Sequence, residues 1–278
     1  MWNDVCAQTI LQPGDLAVIG YNFKDPDQFS FILLNDLDPG TVIYITDCGY
    51  DNASAAFREG EGYLTYTVPV GGQKAGSVIT YPDDAGFVKH GVSGFFGLSV
   101  DGDQLIFFQG TFLTPTFIYA LSVNDQPGWQ TGSIDNNTSS LPPGLTDGVT
   151  ALKQSKMVNS KLDCTGVALD KALFLTQITD EAKWIRSNTT RVTLPDITCN
   201  YTVLALKPHV TYVDIPAFQN TILHSGYLQI DVYDITGTYY FTAISFAEAS
   251  DKIIREKLYI FKVYYPDHLE VVKIILEK

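Results

Sequence analysis

The chain has 278 residues, of which 45% are hydrophobic and 13% aromatic, and its formal net charge is −13. This length allows one large domain or two ordinary ones, each with a substantial core. The acidic charge argues against nucleic acid as a partner, because it repels phosphate backbones, and no apolar stretch approaches the roughly 18 residues of a membrane-spanning helix.

The first predicted elements are three strands at short spacing. Residues 15–22, 28–35 and 41–47 are rich in β-branched and aromatic side chains. The first two strands are separated by the turn cluster at 25–27 (DPD) and the next two by the turn at 38–40 (DPG). Strand and turn alternating in this way predict an antiparallel sandwich or barrel.

The same β character continues through the first two hundred residues, with loops predicted at 48–62 and 124–147. Further strands are predicted at 63–68, 78–81, 104–108, 117–123 and 201–206. One helix is predicted between Asp170, as its cap, and about residue 185. The predicted fold class is therefore all-β, an antiparallel β-sandwich with one helical excursion.

A second, smaller unit is predicted after a linker. The sandwich domain takes residues 1–206, the linker 207–220, and a small C-terminal β-sandwich domain 221–278. Strands are predicted in this last unit at 227–233, 238–246, 258–264 and 270–276. A β domain of about 60 residues is only marginally stable by itself. We therefore expect this unit to pack against the first domain or against another chain.

Four cysteines, Cys6, Cys48, Cys164 and Cys199, allow three disulfide pairings. No CxxC spacing is present, which argues against a zinc site. Pairing each cysteine with its neighbour in the sequence gives Cys6–Cys48 and Cys164–Cys199. Such disulfides, together with five N-x-[ST] sequons, would suit a secreted protein.

A series of short segments carries a family resemblance. The segments are 14–17 (GDLA), 20–21 (GY), 29–31 (FSF), 33–34 (LL), 40–43 (GTVI), 46–47 (TD), 57–58 (FR), 61–62 (EG), 102–105 (GDQL), 141–142 (LP), 144–145 (GL) and Trp184. Through them residues 14–185 resemble a β-rich domain that recurs in secreted proteins of Bacteroidetes and cyanobacteria. That family often has one cysteine near the helix and another after it, which Cys164 and Cys199 match.

A second resemblance covers the end of the chain. The matching pieces are 232–237 (VYDITG), 258–263 (LYIFKV) and 272–275 (VKII). Through them residues 228–278 resemble a C-terminal sorting domain of the type IX secretion system. The family usually has a glycine where this chain has Lys257, so the chain departs from the family pattern at this turn. The resemblance implies export across the outer membrane to an extracellular or cell-surface location.

Motifs for catalysis are missing from the sequence. It contains no HExxH, no GxSxG, no Walker A motif and no strand followed by GxGxxG. Carboxylates are paired at Asp36 with Asp38, Asp83 with Asp84, and Glu59 with Glu61, all in turn-like contexts. We therefore expect a protein that is not an enzyme. A glycoside-active enzyme is kept as an alternative, since it needs two carboxylates across a cleft.

One acidic stretch has the composition of a calcium loop. Asp101 and Asp103 flank a glycine that permits a tight bend, and Asp47 is a candidate third ligand. The stretch lacks the later acidic positions of an EF-hand, so a plain β-turn and a Ca²⁺ site both remain open.

Aromatic side chains expected at the surface supply the last candidate site. Tyr50, Trp129, Tyr239 and Tyr240 are predicted to form a sugar platform or a subunit contact. The leading hypothesis is an extracellular, non-catalytic structural or adhesive protein that self-assembles into a filament or surface layer by pairing strand edges. The first alternative is a carbohydrate-binding module of a secreted protein.

Overall fold

The structure is a computed structural model. It describes residues 8–91, 95–125, 128–165, 171–195, 229–234, 238–245, 248–249, 252, 258–264 and 269–275. The chain divides into two compact units, residues 1–203 and 204–278. The predicted linker and the strand predicted at 201–206 lie outside the described residues. No helix in the described ranges is long and apolar enough to span a bilayer.

One five-stranded sheet lies in the first unit. Its order is β13-β12-β1-β2-β7, and all of its neighbouring strands are antiparallel. The strands are β1 (Leu16–Asn22), β2 (Gln28–Leu33), β7 (Val78–Tyr81), β12 (Asn159–Leu162) and β13 (Trp184–Ser187). Every residue of β1 is buried, as expected for a central strand with a nearly continuous apolar sequence.

A six-stranded sheet forms the second layer. Its order is β11-β10-β9-β3-β6-β8, antiparallel except for the parallel pair of β10 and β11. The strands are β3 (Val42–Thr46), β6 (Tyr63–Thr67), β8 (Phe87–His90), β9 (Asp103–Gly110), β10 (Pro115–Val123) and β11 (Ala151–Gln154). A short hairpin of β4 (Tyr50–Asp51) and β5 (Ala56–Phe57) stands apart from it.

The two sheets share one apolar core, which confirms the all-β sandwich class. Phe107 on β9 packs its ring against Phe31 and Phe29 on β2 of the other sheet, with ring centroids 5.2 and 6.1 Å apart. All three rings are fully buried. Aromatic side chains of this size contribute most to holding two sheets together, because they remove the largest apolar area from water.

The helix described in the first unit is shorter than predicted. The helix α1 spans Lys171–Gln177, a 3₁₀ turn follows at Glu181–Lys183, and Trp184 begins β13. The expectation that the helix would continue to about residue 185 was therefore wrong. Asp180, three residues after the end of α1, caps the 3₁₀ turn by accepting a hydrogen bond from the amide of Ala182.

In the second unit the described residues form one four-stranded antiparallel sheet. Its order is β15-β14-β16-β17. The strands are β14 (Gln229–Asp234), β15 (Tyr239–Ala243), β16 (Leu258–Tyr264) and β17 (Leu269–Ile275). They match the four predicted strands, and because the described residues form one sheet, the second layer of the predicted small sandwich stays a prediction.

The cysteines depart from the predicted pairing at one position. Cys48 is a free, buried thiol, so the predicted Cys6–Cys48 disulfide was wrong. Cys6 itself lies outside the described residues. Cys164 is disulfide-bonded. Cys199 lies outside the described residues, so its pairing with Cys164 stays a prediction.

Candidate functional site

Three strand ends of the six-stranded sheet bring acidic side chains together. Asp47 follows the end of β3, Glu61 lies two residues before β6, and Asp103 opens β9. In the antiparallel register, Thr46 at the end of β3 faces Tyr63 on β6 and Ile106 on β9. The end of β3 and the beginnings of β6 and β9 therefore meet at one edge of the sheet.

Three carboxylates, two of them buried, hold one loop by its backbone. The amides of three consecutive residues, 97, 98 and 99, each donate a hydrogen bond to a different carboxylate. Gly97 donates to Oδ2 of Asp47 over 2.7 Å, the next amide donates to Asp27 over 2.9 Å, and the third donates to Asp103 over 2.7 Å. Both oxygens of Asp103 are engaged, since Oδ1 accepts from the amide of Gln104.

A tighter group lies within this acidic edge. Ligand-type atoms of Asp47, Cys48 and Glu61 all lie within 4.8 Å of one another. The turn that places Cys48 is fixed by Thr46, whose hydroxyl accepts from the Cys48 amide over 3.0 Å and donates to the carbonyl of Gly62 over 2.8 Å. Asp47 and Cys48 are buried, whereas Glu61 is partly exposed and connects the group to the surface.

Burial changes the acidity of all three groups. The pKa values of Asp47 and of Glu61 are both raised to about 7, chiefly by loss of solvent, and the negative charge of Asp47 contributes to the rise at Glu61. The same burial raises the pKa of the Cys48 thiol to about 12. The pKa of Asp103 is also raised well above its ordinary value, chiefly by burial. The group therefore holds protons that exposed carboxylates would have lost.

Several oxygens of this group lack donors. Among the described residues, no hydrogen-bond donor reaches Oδ1 of Asp47, Oε2 of Glu61 or Oε1 of Gln104. Gln104 lies against Asp47, because its Nε2 donates to the Asp47 carbonyl. Buried polar atoms in proteins are nearly always paired, so an excess of acceptors at one place requires protons or a cation.

The predicted calcium ligands are only partly brought together. Asp47 and Asp103 lie at the same sheet edge, but the carboxylate of Asp101 is 77% exposed and lies 3.4 Å from the Nζ of Lys156. Sequence reasoning did not assign Glu61 to this site, although it considered Glu61 as part of a carboxylate pair. It also assigned Cys48 to a disulfide. The alignment of β3 with β6 is the signal that was missing.

A separate cavity of about 430 Å³ lies beside Trp129. Most of its surface is apolar, and six of the ten residues that line it are polar: Asp51, Asn52, Gln130, Thr131, Ser140 and Asp147. The indole Nε1 of Trp129 donates to Oδ1 of Asp147 over 3.2 Å, and Oδ2 of Asp147 pairs with Lys153 over 2.6 Å. The indole is thereby held in one orientation at the wall.

The other predicted surface aromatics divide into buried and exposed. Tyr50 is buried in a small apolar cluster, where its ring lies 4.9 Å from that of Phe117, so its predicted exposure was wrong. Tyr239 and Tyr240 on β15 are 53% and 51% exposed. Tyr50 still helps form the cavity indirectly, because its neighbour Asp51 lies in the wall.

The sequence and structure match no protein-family model, no curated protein and no solved structure.

Proposed function

We propose that this protein is a non-catalytic, extracellular carbohydrate-binding protein that takes a sugar in the cavity beside Trp129. The observation that carries the proposal is an indole held by Asp147 in a mostly apolar cavity that also presents carboxylate, amide and hydroxyl side chains. An aromatic face packs against the C–H face of a pyranose ring, and the polar groups supply hydrogen bonds to its hydroxyls. The volume falls within the roughly 300–1,000 Å³ typical of small-ligand sites.

The charged side chains that line the cavity indicate which class of sugar it would bind. Hydrogen bonds from the Ala53 amide and the Ser54 hydroxyl lower the pKa of Asp51, so it is anionic at neutral pH. Asp147 is the second carboxylate, and Lys153 pairs with it. Two carboxylates in the wall repel sialic and uronic acids. Neutral hexoses and amino sugars are therefore the favoured ligands.

Binding to a glycan array, followed by calorimetry on the best neutral ligand, tests this proposal. Trp129→Ala should weaken binding about tenfold or more, because an aromatic contact supplies about 1 kcal/mol beyond its buried area and the polar contacts lose their alignment. Tyr240→Ala removes an exposed aromatic of the second unit and should leave the affinity unchanged. No glycan bound by the wild type, or equal binding by Trp129→Ala, would contradict the proposal.

A second candidate function is self-association by strand pairing, and one specific observation favours it. In the described sheet of the second unit, β15 is a terminal strand and carries the exposed rings of Tyr239 and Tyr240. An unpaired strand edge is a template for a strand of another copy. Sedimentation velocity over a concentration series should then show oligomers that Tyr240→Lys dissolves. Leu113→Lys, at a 92% exposed site of the first unit, is the control.

A further inference from the structure

We infer that Asp47, Cys48 and Glu61 form a binding site for a divalent transition-metal ion of the Zn²⁺ class. The three side chains offer two carboxylate oxygens and one sulfur within 4.8 Å of one another. Their strand-end positions fix them on the backbone, so the site is largely formed before an ion arrives. This site is distinct from the sugar cavity, whose wall contains none of the three residues.

The unpaired acceptors are the second observation that points to a cation. Asp47 is 1% exposed, and its Oδ1 has no donor among the described residues, while its Oδ2 is engaged by Gly97. Gln104 is fully buried beside Asp47, and its Oε1 also has no donor there. A carboxylate oxygen that is buried without a donor costs free energy, and a bound cation removes that cost.

The ligand types select the class of ion. A thiolate is a soft ligand that favours Zn²⁺ and related ions, whereas Ca²⁺ and Mg²⁺ take oxygen ligands almost exclusively. Three protein ligands leave one tetrahedral position for water. Cys48 is free and therefore available for coordination, and Glu61 is the partly exposed residue through which an ion would enter.

Neighbouring charges attract a cation to this edge. Asp27, Asp103 and Asp135 each act electrostatically on Asp47, Glu61 or both, and Lys89 and Arg58 act in the opposite direction. Binding must displace the thiol proton and any proton held by the two carboxyls. We therefore expect metal binding to release protons and to strengthen as the pH rises.

The test uses the full chain, stripped of metal with EDTA and then freed of chelator, at pH 8. Calorimetry with Zn²⁺ should show one ion bound per chain. Co²⁺ should bind with a sulfur-to-metal charge-transfer band in the near ultraviolet, which reports coordination by thiolate directly. Cys48→Ser should abolish this band. A band that persists in that variant would belong to another cysteine and would overturn the assignment.

Asp47→Asn and Glu61→Gln should each lower the Zn²⁺ affinity at least about 100-fold, since even residues that only support ligands contribute 10- to 100-fold. Asp101→Asn removes an exposed carboxylate of the predicted calcium loop and should leave the affinity unchanged. Far-UV circular dichroism establishes that each variant is folded. Glu61→Gln should disturb the fold least, because Glu61 is partly exposed. Wild-type protein that binds no ion, or binds Ca²⁺ in preference to Zn²⁺, would overturn the inference.

Discussion

Asp47 accepts a hydrogen bond from the backbone amide of Gly97 over 2.7 Å, which joins the end of β3 to a loop fifty residues further along the chain. The next two amides of that loop are held in the same way by Asp27 and Asp103. Each of these hydrogen bonds constrains the loop, because breaking it would leave a backbone donor without an acceptor.

Removing the Asp47 carboxylate should loosen this loop. Asp47→Ala leaves the Gly97 amide without its acceptor, and we expect a loss of about 1–3 kcal/mol in the free energy of unfolding. Urea denaturation of the metal-free protein measures it. Asp101→Ala, at an exposed site, should stay within about 0.5 kcal/mol of the wild type. Equal stability of the Asp47 and Asp101 variants would contradict a role for the carboxylate in holding the loop.

The metal-free protein should lose stability as the pH rises from about 4 to about 7. The folded pKa values of Asp47 and Glu61 are raised to about 7 from ordinary values of 3.8 and 4.5. Between these limits the folded state binds more protons than the unfolded state, so its stability is greatest below the unfolded pKa and falls through the folded one. Urea midpoints at pH 5 and pH 8 measure the difference.

Two variants isolate the source of this pH dependence. Asp47→Asn and Glu61→Gln each remove one titrating group, and each should flatten the profile between these two pH values. The lowered pKa of Asp36, caused mainly by its bond to Lys74, acts in the opposite direction but below its ordinary value of 3.8, outside this window. A stability that rises from pH 5 to pH 8 would contradict the raised pKa values.

Asp147 should strengthen sugar binding by orienting the Trp129 indole. Asp147→Ala removes the acceptor that orients the Trp129 indole, and we expect the glycan affinity to fall about two- to tenfold, the value of one hydrogen bond. Calorimetry measures the affinity, and the tryptophan emission maximum reports the indole. The control is Asp36→Ala, which breaks another exposed aspartate–lysine pair outside the cavity. Matching losses in both variants would argue against an orienting role.

Gly62 should not tolerate a side chain. A Cβ at this position would lie 2.3 Å from the backbone nitrogen of Phe96, and backbone cannot move away as a flexible side chain can. We expect Gly62→Ala to lower the free energy of unfolding by about 1–3 kcal/mol. Gly132, where a Cβ would meet nothing within 4 Å, is the matched control, and its alanine variant should be neutral. Thermal denaturation of the two variants side by side is sufficient, and a neutral Gly62→Ala would be inconsistent with this packing.

The local sequence predicted the apolar strands well and the polar strands poorly. Proline- and aspartate-rich turns around β-branched runs indicated β1, β2 and β3 within one or two residues at each end. By contrast β12 was not predicted. Its sequence, NSKL, has no apolar periodicity, yet Asn159 and Ser160 are fully buried because β12 pairs with β1 on one side and β13 on the other. Such a strand owes its conformation to its neighbours.

The same distinction between local sequence and tertiary structure applies to the fold class and the candidate sites. The composition, the turn residues and the alternating apolar side chains determined the all-β class, since these act over a few neighbouring residues. Only the tertiary structure decided that Asp47 and Glu61 face one another, that Cys48 stays a free thiol, and that Tyr50 is buried while Trp129 lines a cavity. These relationships depend on strand register and sheet order, in which a shift of one residue turns a side chain to the opposite face.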